Sequence, residues 1–242
     1  MSSLKGFQTA SASNTFETST QDIHGVGNLS YDSQGRFLRW VKAGGSAISR
    51  GKLQTSPAPI TAHHEMAVDT IAQGETIVTG ITPGATAGAA NLYAGGFLVV
   101  NDDTGEGMAY EINRHAAITA STAFSVTLKE PIEVAFGAGT TVTLVHNPWS
   151  GVIEGTSSTA HPVGIAANNI AAGAYGWVIS KGIAPALADE TIRVGSWVSP
   201  GTSVAGAVEE YDDVTTVADS AVGWAIVAGV DTEYRPIYVD ID

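Results

Sequence analysis

The chain of 242 residues has no cysteine, few charged side chains and no long apolar run. Without cysteine it can form neither a disulfide bond nor a thiolate metal site, so burial and partner subunits must stabilise it. The longest apolar stretch, Ala221 to Val230, is too short to span a bilayer. The first residues lack the apolar core of a signal peptide. We therefore expect no membrane partner and expect assembly in the cytoplasm.

The residues that are abundant indicate β-structure. Charged residues make up 14% of the chain, where about 25% is usual. The 28 glycines exceed their common share, and valine, threonine and isoleucine fill the apolar runs. This composition predicts many short strands joined by turns.

The charge is unevenly distributed along the chain. Its net value is -13, yet residues 1–55 carry six basic side chains against three acidic ones, which leaves -16 for the rest. Because nucleic acids are bound by neutralising their phosphates, so acidic a body argues against a nucleic-acid partner. The basic first segment fits either an acidic protein surface or an ordinary solvated hairpin.

The first third of the chain predicts an arm, a hairpin and a linker. Residues 1–27 are polar without apolar periodicity, so they form either an arm that reaches a neighbouring subunit or a disordered tail. Residues 28–53 contain an alternating run after a Ser-Gln-Gly turn, which indicates a hairpin. Prolines 57 and 59 then mark a linker.

Short apolar runs separated by turns fill the remainder and predict two small β-barrel or β-sandwich domains. The first series extends from about 61 to 146 and the second begins after Gly151. The expected fold is all-β, divided into an arm with a basic hairpin over 1–56 and β domains over 57–150 and 151–242.

Two segments contain clusters of side chains of the kinds that bind metal ions. His63-His64-Glu65 does not have the histidine spacing of helical zinc sites, and adjacent side chains on an extended strand point to opposite faces. Residues 101–107 are rich in oxygen ligands but depart from the calcium-loop spacing, so a hairpin turn is favoured. With no nucleophile elbow or phosphate loop either, we predict no enzyme activity, cofactor or metal.

The five tryptophans divide into two groups. Trp177, Trp197 and Trp224 lie in apparent strands and are predicted core residues. Trp40 and Trp149 lie near the hairpin and the domain junction, where either local packing or a subunit contact would suit an aromatic side chain. The candidate interface residues are therefore Arg36, Arg39, Trp40, Lys42, Arg50, Lys52 and Trp149.

Several segments together resemble one family. They are a Tyr-Gly-Trp strand with a Lys-Gly-Ile turn in 174–187, a Tyr-Arg-Pro terminal strand in 231–239, and the glycine- and aromatic-rich runs 35–45, 93–102 and 222–225. This pattern resembles the decoration, or cement, proteins that tailed bacteriophages add to their capsids. The resemblance implies a virion structural protein that binds the major capsid protein on the outer capsid surface as a homotrimer and bridges capsomers of the expanded shell.

Two other functions remain open from the residues alone. A head-fibre or tail module that recognises a host-surface ligand would use exposed aromatics and acidic loops. A hydrolase with an unrecognised site would need acid, base or nucleophile groups held together in a pocket.

Overall fold

A computed structural model describes residues 8–9, 15–155, 160–211 and 220–242. Within them the chain is all-β, as predicted, with barrel-like sheets and a single turn of 3-10 helix. It divides into two compact units, called here unit 1 (residues 1–58 and 148–242) and unit 2 (59–147). The sequence-based division into three consecutive parts differs, because the N-terminal segment and the last domain share one unit.

The strands follow the predicted series closely. Before unit 2 come β1 (Gln8–Thr9), β2 (Thr18–Ser19), β3 (Leu29–Tyr31), β4 (Phe37–Ala43) and β5 (Leu53–Thr55). Unit 2 contains the 3-10 turn (Thr61–His63), β6 (Met66–Ala67), β7 (Ile77–Ile81), β8 (Phe97–Asp102), β9 (Ala109–His115), β10 (Phe124–Leu128) and β11 (Thr141–Val145). Unit 1 resumes with β12 (Ser150–Glu154), β13 (Pro162–Ala166), β14 (Tyr175–Leu187), β15 (Trp197–Pro200), β16 (Val208–Glu210), β17 (Gly223–Ala225) and β18 (Tyr234–Asp240).

Five strands of unit 1 close into a ring. The order is β4-β12-β5-β13-β14, and β14 pairs again with β4. The β4–β12 pair is parallel and the other four are antiparallel. Beyond the ring, the long β14 continues into a sheet with β18, β17, β15 and β16. The predicted hairpin is the β3–β4 pair.

Strand alternation distributes side chains of β4 and β14 between two apolar clusters in unit 1. Leu38 and Trp40 pack into the cluster that extends towards β18, whereas Val41 and Ala43 pack into the smaller one. Since successive strand side chains point to opposite faces, a β4 buried on both sides needs an apolar residue at nearly every position.

Unit 2 is a six-strand sheet among the described residues, in the order β6-β11-β8-β9-β10-β7. Its two end strands lie together, because Asp69 N donates to Thr79 O at 3.1 Å and Thr82 N donates to Ala67 O at 3.1 Å. The sheet therefore curls around one apolar core that includes Leu98, Ile112, Val126 and Phe136.

The segment predicted as a Lys-Gly-Ile turn is part of β14 and does not turn. Gly182 has φ of +107° and faces Val239 of β18, so the strand continues through it. Pro185 lies directly opposite Pro236. Neither residue has a backbone N–H to donate, so the pair occupies a ladder position at which both prolines are tolerated.

The predicted arm belongs to unit 1 from residue 15 onward. Thr18 and Ser19 pair with the start of β14, and Thr15 is buried. The His24 ring packs edge-on against Trp40 with centroids 4.7 Å apart. Residues 15–27 therefore do not extend towards a neighbour. Residues 1–7 and 10–14 of that prediction lie outside the described residues.

Candidate functional site

Trp40, predicted as an interface candidate, is a core residue. It is completely buried, and its Nε1 donates to Asp22 Oδ1 at 3.0 Å. The Trp177 ring contacts it with centroids 4.9 Å apart. The segment before β3 thus covers the indole, so Trp40 cannot itself contact a partner.

Arg36 and Lys52 are neutralised by acidic neighbours. The Arg36 guanidinium pairs with Asp32 at 2.7 Å, and Lys52 Nζ pairs with Glu154 Oε2 at 2.7 Å. Burial alone would raise the pKa of Asp32, but hydrogen bonds from Arg36 and Gln34 outweigh it and lower that pKa. Much of the basic character of the N-terminal segment is therefore balanced within unit 1.

Arg39 binds the C-terminal residue and Trp149. Its Nε and Nη2 donate to the Asp242 carboxylate at 2.9 Å each, and Nη1 donates to Gly27 O at 2.9 Å. The guanidinium also lies 4.8 Å from the centre of the Trp149 ring, a cation–π contact. Trp149 is half-buried, and it packs so closely on Gly27 that a Cβ there would lie 2.6 Å from the ring. These contacts support local packing for both side chains.

Lys42 and Arg50 are the predicted basic residues of the described chain that form no ion pair with another described residue. Lys42 Nζ lies 5.7 Å from the centre of the Tyr175 ring and is half-buried. The Arg50 side chain is exposed, and its backbone N–H donates to Asn169 Oδ1 at 2.9 Å.

Arg50 lies at the rim of a groove in unit 1. We define this groove, about 500 Å³ in volume, by Phe16, Arg36, Arg50, Ile179, Pro185 and Tyr234. The strand residues Ile179 and Pro185 supply an apolar surface, and Phe16 and Tyr234 add aromatic rings that are 58% and 49% exposed. The groove therefore combines apolar walls with positive charge at its edge.

Glycine at position 51 allows Tyr234 to line the groove. Gly51 has φ of +72°, and a Cβ there would lie 2.7 Å from Tyr234 Cε1. Its carbonyl accepts from Leu187 N at 3.0 Å, which fixes the segment against the end of β14. A side chain at this position would both strain the backbone and displace the ring.

A second surface feature is a row of aromatic side chains, called here the aromatic row: Trp197, Trp224 and Tyr238. They are direct neighbours in register on β15, β17 and β18. Ring centroids are 5.6 Å apart for the tryptophan pair and 4.5 Å apart for Trp224 and Tyr238. Trp197 is 54% exposed. The prediction that Trp197 is a core residue is therefore wrong, because it lies on the outer face of its strand.

The two segments with metal-binding side-chain types, 63–65 and 101–107, have structural roles. His63 is buried and hydrogen-bonded through both ring nitrogens, and residues 101–107 join β8 to β9 as the predicted hairpin turn. Among the described residues, no group of three or more acidic or histidine side chains is arranged to hold a metal ion. In the same part of the chain, no helix is long and apolar enough to cross a membrane.

The acidic stretch at residues 209–213 begins within a β-strand. Val208–Glu210 forms β16, and Glu210 accepts hydrogen bonds from Arg193 Nε at 2.8 Å and Ser196 Oγ at 3.0 Å. Asp212 and Asp213 lie outside the described residues. Glu210, which lies opposite Val198, is thus charge-paired with Arg193.

Sequence reasoning missed both the groove and the aromatic row as sites. The groove draws residues from positions 16, 36, 50, 179, 185 and 234, which come together only through the pairing of β14 with β4 and β18. For the row, a partial signal existed, since Trp197 and Trp224 both lie in apparent strands.

Comparisons of the chain with protein-family models, with curated proteins and with solved structures find no match.

Proposed function

We propose that this protein is a virion structural protein that decorates the outer surface of a phage capsid and bridges capsomers of the expanded shell. The observation that carries the proposal is the groove of unit 1, an apolar and basic surface on a chain of net charge -13. The resemblance of the sequence to phage decoration proteins also supports the proposal. The ligand is the major capsid protein.

The groove suits a segment of the shell protein that carries a large apolar side chain beside a carboxylate. The apolar walls would bury the side chain, while the exposed Arg50 guanidinium would pair with the carboxylate. Arg36 already pairs with Asp32, whereas Arg50 forms no ion pair with another described residue. Binding at several such contacts at once would give a durable clamp from modest individual affinities.

The aromatic row supports the proposal that copies associate as a homotrimer. Two chains of equal negative charge repel one another unless they meet through surfaces with little net charge. Near the row, Asp240 follows Tyr238 by two positions on β18 and is paired with Lys181. Tryptophan and tyrosine are also the side chains that most often anchor protein interfaces.

The alternative of a receptor-binding module draws on the same aromatic row, since exposed aromatic rings can stack on sugars. Here Trp224 and Tyr238 stack on each other with an interplanar angle of 13°, so each covers one face of the other. That arrangement favours a protein partner over a flat platform for sugar rings.

Co-sedimentation with undecorated, expanded shells of the major capsid protein encoded alongside this chain tests the proposal. The full chain should bind saturably at micromolar concentration. Arg50→Glu reverses the charge at the groove rim without removing an ion pair recorded among the described residues, and should weaken binding at least tenfold. The matched control, Arg114→Glu, makes the same charge change at an exposed position of β9 in unit 2 and should bind as the parent does.

Absence of binding by the full chain would overturn the decoration function and bring the receptor-binding module forward. Equal weakening by both arginine variants would show that net charge, and not the groove, controls binding. For self-association, sedimentation velocity of Trp197→Ala should show loss of the oligomer, whereas Phe97→Ala, an exposed aromatic of unit 2, should retain it.

A further inference from the structure

Three histidine side chains surround one buried tyrosine in unit 2. Tyr93 is completely buried, and the rings of His63, His115 and His146 lie with centroids 5.6, 5.8 and 4.5 Å from its own. His63 ends the 3-10 turn, His115 ends β9 and His146 follows β11. We call these four residues the histidine cluster.

Both ring nitrogens of His63 are engaged in hydrogen bonds. Its Nε2 lies 2.9 Å from Thr86 O, a carbonyl that can only accept, so Nε2 carries the proton. Its Nδ1 lies 2.6 Å from Tyr93 Oη and accepts the hydroxyl proton. Burial raises the pKa of Tyr93, which keeps this hydroxyl protonated.

His115 is held in a neutral form by two backbone groups. Its Nδ1 donates to Ala116 O at 2.7 Å, and its Nε2 accepts from the backbone N–H of Tyr93 at 3.0 Å. A second proton on Nε2 would face that N–H and break the bond. Burial, the larger cause, and the neighbouring His63 both lower the pKa of His115, against a smaller rise from the Ala116 bond.

His146 is buried with one ring nitrogen unsatisfied. It hydrogen-bonds the backbone of Leu92, while its Nε2 has no partner among the described residues. Burial, followed by the charge that His63 would carry, lowers the pKa of His146 despite the Leu92 bond. An added proton on Nε2 would therefore be a buried charge without an acceptor.

Among the described residues, the groups that contact the cluster carry no compensating negative charge. They are the carbonyls of Thr86, Leu92 and Ala116, the Asn91 side chain, which accepts from His115 N at 3.0 Å, and the Phe124 ring. The neighbouring charge that lowers the pKa of His115 and of His146 is that of His63, which would be positive, like theirs. Protonating one ring makes protonation of the next less favourable.

We infer that unit 2 is a pH-responsive device: its fold requires His115 and His146 of the histidine cluster to be neutral, so mildly acidic pH favours its opening while unit 1 stays folded. The sign follows from proton linkage. An unfolded histidine takes up a proton near pH 6.5, whereas the buried His115 and His146 do not, so acid favours the opened state. If both stay neutral when folded, the opening constant rises about 100-fold between pH 7.5 and 5.5.

Unit 1 lacks such a cluster among its described residues. His24 lies 2.9 Å from the Glu17 carboxylate, and His161 is exposed. Its carboxylates Asp32 and Asp242 have lowered pKa values, so their contribution is lost only as the pH falls below about 4. The two units therefore respond to acid in different pH ranges.

Hydrogen exchange read by mass spectrometry on the full chain separates the units by peptide. After correction for intrinsic exchange rates, protection of the strand amides of β8 to β11 should fall about 100-fold from pH 7.5 to 5.5. All five tryptophans lie in unit 1, so their fluorescence should stay native over the same range.

His146→Asn removes one titrating group while retaining a donor for Leu92. It should reduce the loss of hydrogen-exchange protection between pH 7.5 and 5.5 to about tenfold. His64→Asn is the matched control, since His64 is half-buried in the same unit but outside the cluster, and should leave the change at about 100-fold. If His146→Asn does not fold, NMR titration of the parent imidazoles replaces it, and His115 and His146 should remain neutral at pH 5.5.

Protection in unit 2 that does not change with pH, or titration of His115 and His146 near pH 6.5, would overturn the inference. Equal losses in both units would do so as well, because they would indicate global unfolding. None of these outcomes depends on capsid binding.

Discussion

Replacing Trp40 by alanine should destabilise unit 1 by about 3–5 kcal/mol, the usual cost of removing a fully buried tryptophan. The ring is completely buried against His24 and Trp177. Its hydrogen bond to Asp22 is also lost, but that carboxylate keeps the backbone N–H groups of Gly25 and Val26 at 2.8 and 3.1 Å. Little extra penalty for an unpaired charge is therefore expected.

Urea unfolding followed by tryptophan fluorescence measures this change, because all five tryptophans report on unit 1. Val194→Ala is the control: the side chain is 65% exposed and lies outside the groove and the aromatic row, so we expect a loss of about 1 kcal/mol or less. The reasoning is refuted if Trp40→Ala unfolds within about 0.5 kcal/mol of the parent, or if the two variants are equally destabilised.

Three further predictions follow from single contacts. Gly51→Val should lower the stability of unit 1 by about 1–3 kcal/mol in urea unfolding, because it strains a backbone with φ of +72° and collides with Tyr234. Tyr93→Phe, which removes the hydroxyl donor to His63, should reduce hydrogen-exchange protection in unit 2 by about 1–2 kcal/mol at pH 7.5 and leave unit 1 unchanged. Asp32→Asn should lower the stability of unit 1 at pH 7, where hydrogen bonds from Arg36 and Gln34 hold the pKa of Asp32 low. The difference from the parent should shrink progressively as the pH falls below about 4, and acid titration of urea midpoints checks this.

The strands could be predicted because their side-chain pattern is local. Phe124–Leu128 and Tyr234–Asp240, for example, are strands that coincide with short apolar runs of the two predicted series. The continuation of β14 through Gly182 could not be predicted, since glycine usually signals a turn and only the partner strand β18 holds it extended. Likewise, the insertion of unit 2 between the two parts of unit 1 rests on pairings over long sequence distances.

The candidate interface was harder to predict, because charge along a sequence does not show where counter-charges lie. Arg39 meets Asp242, more than two hundred positions away, and Lys52 meets Glu154. Trp40 is covered by a polar segment that carries no apolar pattern of its own. Of the predicted basic interface residues, Arg50 and Lys42 are those without an ion pair to another described residue. Arg50 also lines the groove of unit 1.

The histidine cluster illustrates the same limit. His63, His115 and His146 are far apart in sequence, and a residue count alone gives no reason to group them. They converge because the 3-10 turn and the ends of β9 and β11 all surround Tyr93.

A cryo-EM reconstruction of expanded shells incubated with the full chain tests the central proposal most directly. The account predicts ordered density on the outer surface where several capsomers meet, with the groove of unit 1 against the shell and Arg50 beside an acidic residue of the capsid protein. Shells without added density, or density attached only at a fibre or tail position, would contradict it.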